Sequence, residues 1–159
     1  MFRILFLFFL LILPTNVFAL VEVDITRGNL NPLPIAVSPL SIDESTRENF
    51  KKILKKKNIG SEISSVVENN LRTSGLFNPL NKEAFLQAPD IANLKPRFED
   101  WNLIKAQALI TGKVTNIDDK LRVEFRWWDG LAGKEMMALA FTTVPNNWRR
   151  VGHIHTNKI

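Results

Sequence analysis

Leu121-Arg122-Val123-Glu124-Phe125-Arg126-Trp127-Trp128-Asp129 is the stretch that decides the fold. Leu121, Val123, Phe125 and Trp127 alternate with Arg122, Glu124 and Arg126, the period of two that sets one apolar face against a core. Residues 106–114 ahead of it are mostly apolar, which suits a strand buried on both faces. Residues 116–119, with Asn116, Asp118 and Asp119, supply a turn between the two strands. Residues 129–134 contain two glycines and turn the chain again, after which 136–144 runs back, so the three strands form a meander. Trp127 and Trp128 are adjacent on a strand and must point to opposite faces. Ordinary layer packing predicts helices over both, whereas an exposed tryptophan would mark a contact surface.

Working towards the amino terminus, Pro96 suits the first position of a short helix through Phe98 and Trp101. Residues 81–96 show no sustained period and read as loop, with one helical turn around 84–86. Ile63, Val66, Val67 and Leu71 fall at helical spacing, with Ser61 as cap, Glu62 at the positive end of the dipole and Arg72 at the other end. Gly75 suits the left-handed stop, and Leu76 and Phe77 are expected to fold back onto the helix end. Ser45 with Glu48 makes a capping-box pattern before Phe50, Ile53 and Leu54, predicting a helix with its lysines outside. Ile35, Ala36 and Val37 read as a short buried strand ended by Pro39, after turn residues at 29–34. Val21, Val23 and Ile25 alternate with Glu22, Asp24 and Thr26, a strand with one buried face. At the other end, Asn146 or Asn147 caps a last helix from Trp148 that is short enough to need a packed face to persist. The expected fold class is α/β (α+β-like): a single layered domain with a mixed sheet of about five strands and two to three helices.

Arg3, the unbroken apolar run at 4–13 and Val17-Phe18-Ala19 have the form of an export signal cleaved after Ala19. The run falls well short of the roughly 20 apolar residues needed to span a bilayer, which disfavours an uncleaved anchor. Domains are therefore expected at 1–19 (signal peptide) and 20–159. With 45% hydrophobic and 23% charged residues the composition is that of a globular chain, and the absence of cysteine leaves its stability to packing. The net charge of +5 is modest, and Lys51, Lys52, Lys55, Lys56 and Lys57 concentrate it. Such a cluster suits anionic lipid or nucleic acid. No aromatic is interleaved to stack a base, so no nucleic acid is expected and a solvated helix face is the preferred reading.

Catalytic motifs are missing: there is no Gly-x-Ser-x-Gly, His-Glu-x-x-His or phosphate loop, and no cysteine nucleophile. His153 and His155 lie on different faces of a helix, or on one face of a strand, without further ligands, and read as polar residues at a frayed end; no metal is expected. Asp118, Asp119 and Asp129 sit in turns, where aspartate bonds local backbone, and Glu99 with Asp100 lies in a helical turn. None makes an acid and base pair.

Three runs, Ser74-Gly75-Leu76-Phe77-Asn78-Pro79-Leu80, the strand at 121–129 and Asn147-Trp148-Arg149-Arg150-Val151-Gly152-His153-Ile154, resemble the TolB family. The resemblance covers nearly all of residues 20–159. In that family these runs belong to a small amino-terminal domain, followed by a long β-propeller that carries much of the partner binding. The sequence stops at Ile159 without a propeller. His155-Thr156-Asn157-Lys158-Ile159 departs from the longer closing helix of the family, so a truncated last helix is expected, from a frameshift, a premature stop or a shortened paralogue. The resemblance implies a non-enzymatic periplasmic module of the Tol-Pal system, without cofactors and peripheral to the envelope, which supports outer-membrane constriction in cell division and envelope integrity. It also implies contact with a TolA-like protein through Leu20, Val21, Glu22, Val23, Asp24, Ile25, Thr26 and Arg27, released or held back according to whether Pal is bound. Binding to Pal itself is expected to be weak or absent without the propeller. Read from the residues alone, this strand either joins a partner's sheet edge or completes its own sheet, and a switch can do both at different times. The alternative is a non-functional fragment of a disrupted gene. An enzyme or nucleic-acid module on the same layered fold ranks last.

Overall fold

The computed structural model describes residues 31–55 and 58–156. β1 (Leu33–Val37) and β2 (Ser41–Ile42) lead into α1 (Glu44–Leu54) and α2 (Ile59–Thr73). β3 (Phe77–Pro79), a 3-10 turn at Lys82–Ala84, α3 (Pro89–Leu94) and α4 (Phe98–Leu103) follow. The meander is β4 (Ala108–Ile117), β5 (Lys120–Asp129) and β6 (Lys134–Thr143), and a second 3-10 turn at Pro145–Asn147 opens α5 (Trp148–Thr156). The fold is α/β, with one mixed sheet in the order β3-β1-β4-β5-β6 and β2 also paired to β4. β1 is parallel to β3 and β4, whereas β4, β5 and β6 are antiparallel. The helices beyond the two or three expected include α3 and α4, each of six residues, too short for a periodic signal.

The meander follows the alternation of its sequence. Leu121, Val123, Phe125 and Trp127 are all buried on one face, opposite Asn116, Val114, Gly112 and Ile110 of β4. The β4–β5 turn has two residues, Asp118 and Asp119, with φ of 49° and 57°. Two consecutive left-handed residues match the twist of a hairpin, and aspartate tolerates that region. Between β5 and β6, Asp129 Oδ1 accepts from the backbone N–H groups of Leu131 and Ala132 at 2.9 and 2.8 Å.

Both tryptophans are covered, as layer packing predicts. On the Trp127 face α1, α2 and α5 close a large apolar cluster with Ile35, Phe50, Ile63, Val67, Ile110 and Phe125. On the Trp128 face α4 supplies Phe98 and Trp101 to a smaller cluster with Ala36 and Leu109. A fully buried large apolar side chain contributes about 1.5–3 kcal/mol, so the first cluster dominates folding.

Several local expectations are corrected. α1 is capped by Asp43, not by a Ser45–Glu48 box: Asp43 Oδ1 accepts from Thr46 N at 2.8 Å and from Ser45 Oγ at 2.6 Å. α2 begins at Ile59, with Asn58 as cap accepting from Ser61 N at 3.2 Å, because Ile59 and Gly60 are themselves buried. Gly75 does take φ of 73°, yet Phe77 enters β3 instead of folding back, and Leu76 stays exposed. Parallel pairing with β1 claims that segment: Leu33 N donates to Leu76 O at 2.9 Å. Residues 81–96 contain α3 as well as loop, and α4 starts at Phe98, two residues after Pro96. No helix among the described residues is long and apolar enough to cross a membrane.

Candidate partner-binding surface

The strand expected to meet a partner, Leu20 to Arg27, and the cleavage position Ala19 lie outside the described residues. The described chain enters β1, between β3 and β4, and among the described residues the sheet's edges are β3 and β6. β3 is three residues long and ends in Pro79, which blunts it for strand addition. β6 is ten residues long and, among the described residues, pairs only with β5.

From Met136 to the end of β6 no residue is charged. Met137 and Phe141 lean on the large cluster, while Ala138, Ala140 and Thr142 are exposed on the other face, beside Arg126, Glu124 and Arg122 of β5. Glu124 receives Arg122 Nε at 3.0 Å and Lys113 Nζ at 3.7 Å. The pairing register slips between Trp127 and Trp128, which leaves Met136 as an extra residue, 56% exposed. A bulge at a strand's start re-aims the edge without shortening it. Main-chain N–H and C=O groups along such an edge can pair with an added strand.

α5 seals the sheet beneath this edge, and here the sequence misled. His155 is not a frayed polar residue but fully buried. Its Nε2 accepts from Trp127 Nε1 at 2.9 Å, and its ring stacks on Phe125 at 3.9 Å between centroids. Burial lowers its pKa from 6.5 to about 4. The neutral form that accepts at Nε2 carries its proton on Nδ1, which is buried with no hydrogen-bond partner among the described residues. The signal was present: Trp148, Val151, Gly152 and His155 recur at helical spacing and are the buried residues of α5. At Gly152 a Cβ would come within 2.8 Å of a Val66 methyl, so glycine lets α5 close on α2. His153 faces the other way, its Nδ1 3.0 Å from Asn70 Nδ2.

Elsewhere two carboxylates are committed to structure. Hydrogen bonds from Ser45 and Thr46 lower Asp43 to about 2. Burial pushes Glu68 up, but hydrogen bonds from Lys82 and Arg72 outweigh it, and the net shift is downward. An open concavity of about 370 Å³ is lined by Ser41, Asp43, Asp90, Asn93, Lys113 and Thr115. Asp43 there is already spent on its cap, and no nucleophile and base stand together. Among the described residues no three His, Asp or Glu side chains are grouped to hold a metal ion.

The TolB amino-terminal domain family matches residues 21–136, from the segment ahead of β1 to the bulge of β6. This chain belongs to that family. It is 78% identical over 157 residues to the Tol-Pal system protein TolB of Pelagibacter ubique (strain HTCC1062), a match that takes in 99% of this chain and 35% of the relative's length. The chain thus spans about a third of that relative, and α5, with His155, falls inside the match. Among solved structures, TolB from Acinetobacter baumannii superposes with a TM-score of 0.58 at 17% identity, covering 79% of this chain and 26% of that one, a likeness of fold.

Proposed function

We propose that this chain is a non-enzymatic protein-binding module of the Tol-Pal system, working in the periplasm. It contacts a TolA-like protein through Leu20, Val21, Glu22, Val23, Asp24, Ile25, Thr26 and Arg27, and so supports outer-membrane constriction during division and envelope integrity. The observation that carries this reading is the family match, which begins at residue 21 and so takes in most of that strand. The export-type start and the alternation of Val21, Val23 and Ile25 agree with it. Pal binding by these 159 residues is weak or absent, since most of the relative's length lies beyond the match.

The test is a pull-down with the periplasmic part of a TolA-like protein. The chain should be retained at micromolar concentration, and Val23→Asp with Ile25→Asp should weaken retention at least tenfold by burying two charges in the added strand. Equal retention of the double variant would remove the strand from the interface, and retention of Pal at micromolar affinity would overturn the second half of the proposal. An immunoblot of the periplasm adds the remaining alternative. A band of the size of residues 20–159 supports a working short form, and no band at any size is the result expected of a fragment from a disrupted gene.

A further inference from the structure

Two pairs of exposed cations stand at the carboxyl end of α1 and at the start of α5. Lys52 and Lys55 occupy the last turn and the cap of α1, and Arg149 and Arg150 the first turn of α5. α1 lies against the Pro145–Asn147 turn that opens α5. Among the described residues none of the four forms an ion pair, in contrast to Arg47 and Lys51 on the same α1, which are matched to Glu44 and Glu48 at 3.0 and 3.1 Å.

The fold does not require this charge. Lysines at the carboxyl end of α1 agree with its dipole, but Arg149 and Arg150 stand at the positive end of α5, where no acid accompanies them. Stacking of Arg149 over Trp148, 5.0 Å from the ring centroid, holds one of them in place without neutralising it. A local electrostatic misfit that nothing among the described residues compensates points to a function outside the fold. In the same last turn, Ile53 is 45% exposed, whereas Leu54 packs on the large cluster.

We infer that this surface rests on an anionic phospholipid bilayer, the cations over lipid phosphates and Ile53 in the headgroup boundary. Exposed cations with an exposed apolar side chain on the same helix end suit an interfacial contact. A nucleic-acid strand would call for exposed aromatics instead, and Trp148 is buried. The inference rests on the envelope location proposed above.

The test is sedimentation of residues 20–159, the product expected after cleavage at Ala19, with vesicles of phosphatidylcholine alone or mixed with phosphatidylglycerol, so that the apolar run at 4–13 does not itself bind both vesicle types. Binding should rise with the anionic fraction and fall away at about 1 M salt, where the screening length drops to about 3 Å. Each surface cation is expected to contribute about fivefold, so Lys52→Gln with Lys55→Gln, and separately Arg149→Gln with Arg150→Gln, should each weaken anionic-vesicle binding roughly 30-fold. All these side chains are exposed, so the folded circular-dichroism signal should persist. Ile53→Ser should weaken binding further without changing its salt dependence. Equal binding to both vesicle types, or double variants that bind as the parent does, would overturn the inference. So would binding to a single-stranded oligonucleotide as tight as to vesicles, which would make the partner a polyanion. Vesicle binding by a chain that fails to retain the TolA-like protein would sink the earlier proposal and leave this one standing.

Discussion

Trp127 and Trp128 are neighbours in sequence, and the two sides of the sheet they enter are built differently. Trp127 gives its indole N–H to His155 Nε2, under a layer made by α1, α2 and α5. Trp128 gives its own to Thr111 Oγ1 at 2.9 Å, under the six-residue α4 and the edge of Phe98, 5.8 Å between ring centroids. Both polar atoms are satisfied, so hydrogen bonding does not separate the two sides. What separates them is apolar area. Among the described residues one face holds a continuous cluster from Ile35 to Val151, whereas the other holds five buried residues and gives way, further along the strands, to the half-buried ladder of Arg122, Glu124 and Arg126. Among the described residues, one side of the sheet is sealed by far more apolar area than the other.

The largest effect should come from breaking the thick side. Phe125→Ala removes a ring that is 1% exposed and on which His155 stacks, and should cost about 3–5 kcal/mol. Phe98→Ala, on the thin side and half-buried, should cost about 1–2 kcal/mol. Urea denaturation followed by circular dichroism measures both. Equal shifts in midpoint at unchanged slope would mean that the two faces carry similar energy, and the comparison would fail.

Acid should act on the same side alone, because both histidines of the chain lie on α5. His155 has a folded pKa of about 4 against an ordinary 6.5, so above pH 6.5 it is neutral in both states and its packing counts in full. As the pH falls below 6.5 the unfolded chain takes up the proton first, and stability drops until the folded form is protonated as well, near pH 4. The loss across that window is about 3 kcal/mol. Asp43 acts in a separate window, since its carboxylate is held to about 2 and its contribution is lost only below its ordinary 3.8. His155→Leu should flatten the dependence between pH 4 and 6.5, at the expense of an unpaired Trp127 N–H that lowers stability at every pH. An unchanged slope in that variant would assign the acid sensitivity elsewhere.

The thick side was the more legible of the two in the sequence. Its strands show a strict alternation and α2 a clean helical period, and such signals come from many residues obeying one geometry. The thin side depends on α3 and α4, whose six residues each cannot establish a period, and on Pro89, whose place at a helix start is a single-residue cue. Caps were misplaced for a related reason. Asp43 and Asn58 compete with Ser45 and Ser61 as acceptors two or three residues away, and tertiary burial of Thr46 and Ile59 decides between them. His155 was misread because a polar residue near the last position looks solvated until β5 is placed beneath it. The candidate site was legible only as a pattern at 20–27, beyond the described residues; β6 became an edge only once the strand order was known.

The smallest effect tests whether the thin side can be thickened. α4 begins without a side-chain cap, because its N-cap residue is Arg97, in extended backbone with φ of −85°. Arg97→Ser would place a hydroxyl oxygen where it can accept from the first turn, a gain of about 1 kcal/mol at an uncapped helix. The exchange removes the Arg97–Asp100 pair at 2.8 Å, whose arginine is 59% exposed, and that loss is about 0.3–0.5 kcal/mol. Gln87 still donates to Arg97 O and accepts from its backbone N–H, since those bonds use only the main chain at position 97. A net gain of about 0.5 kcal/mol is therefore expected, seen as a small rise in urea midpoint and slower amide exchange at Trp101. Slower exchange at Trp101 without a change in the global midpoint would show α4 opening on its own. The thin side would then be a local unit, and the half-buried ladder beside it could move without the core beneath Trp127.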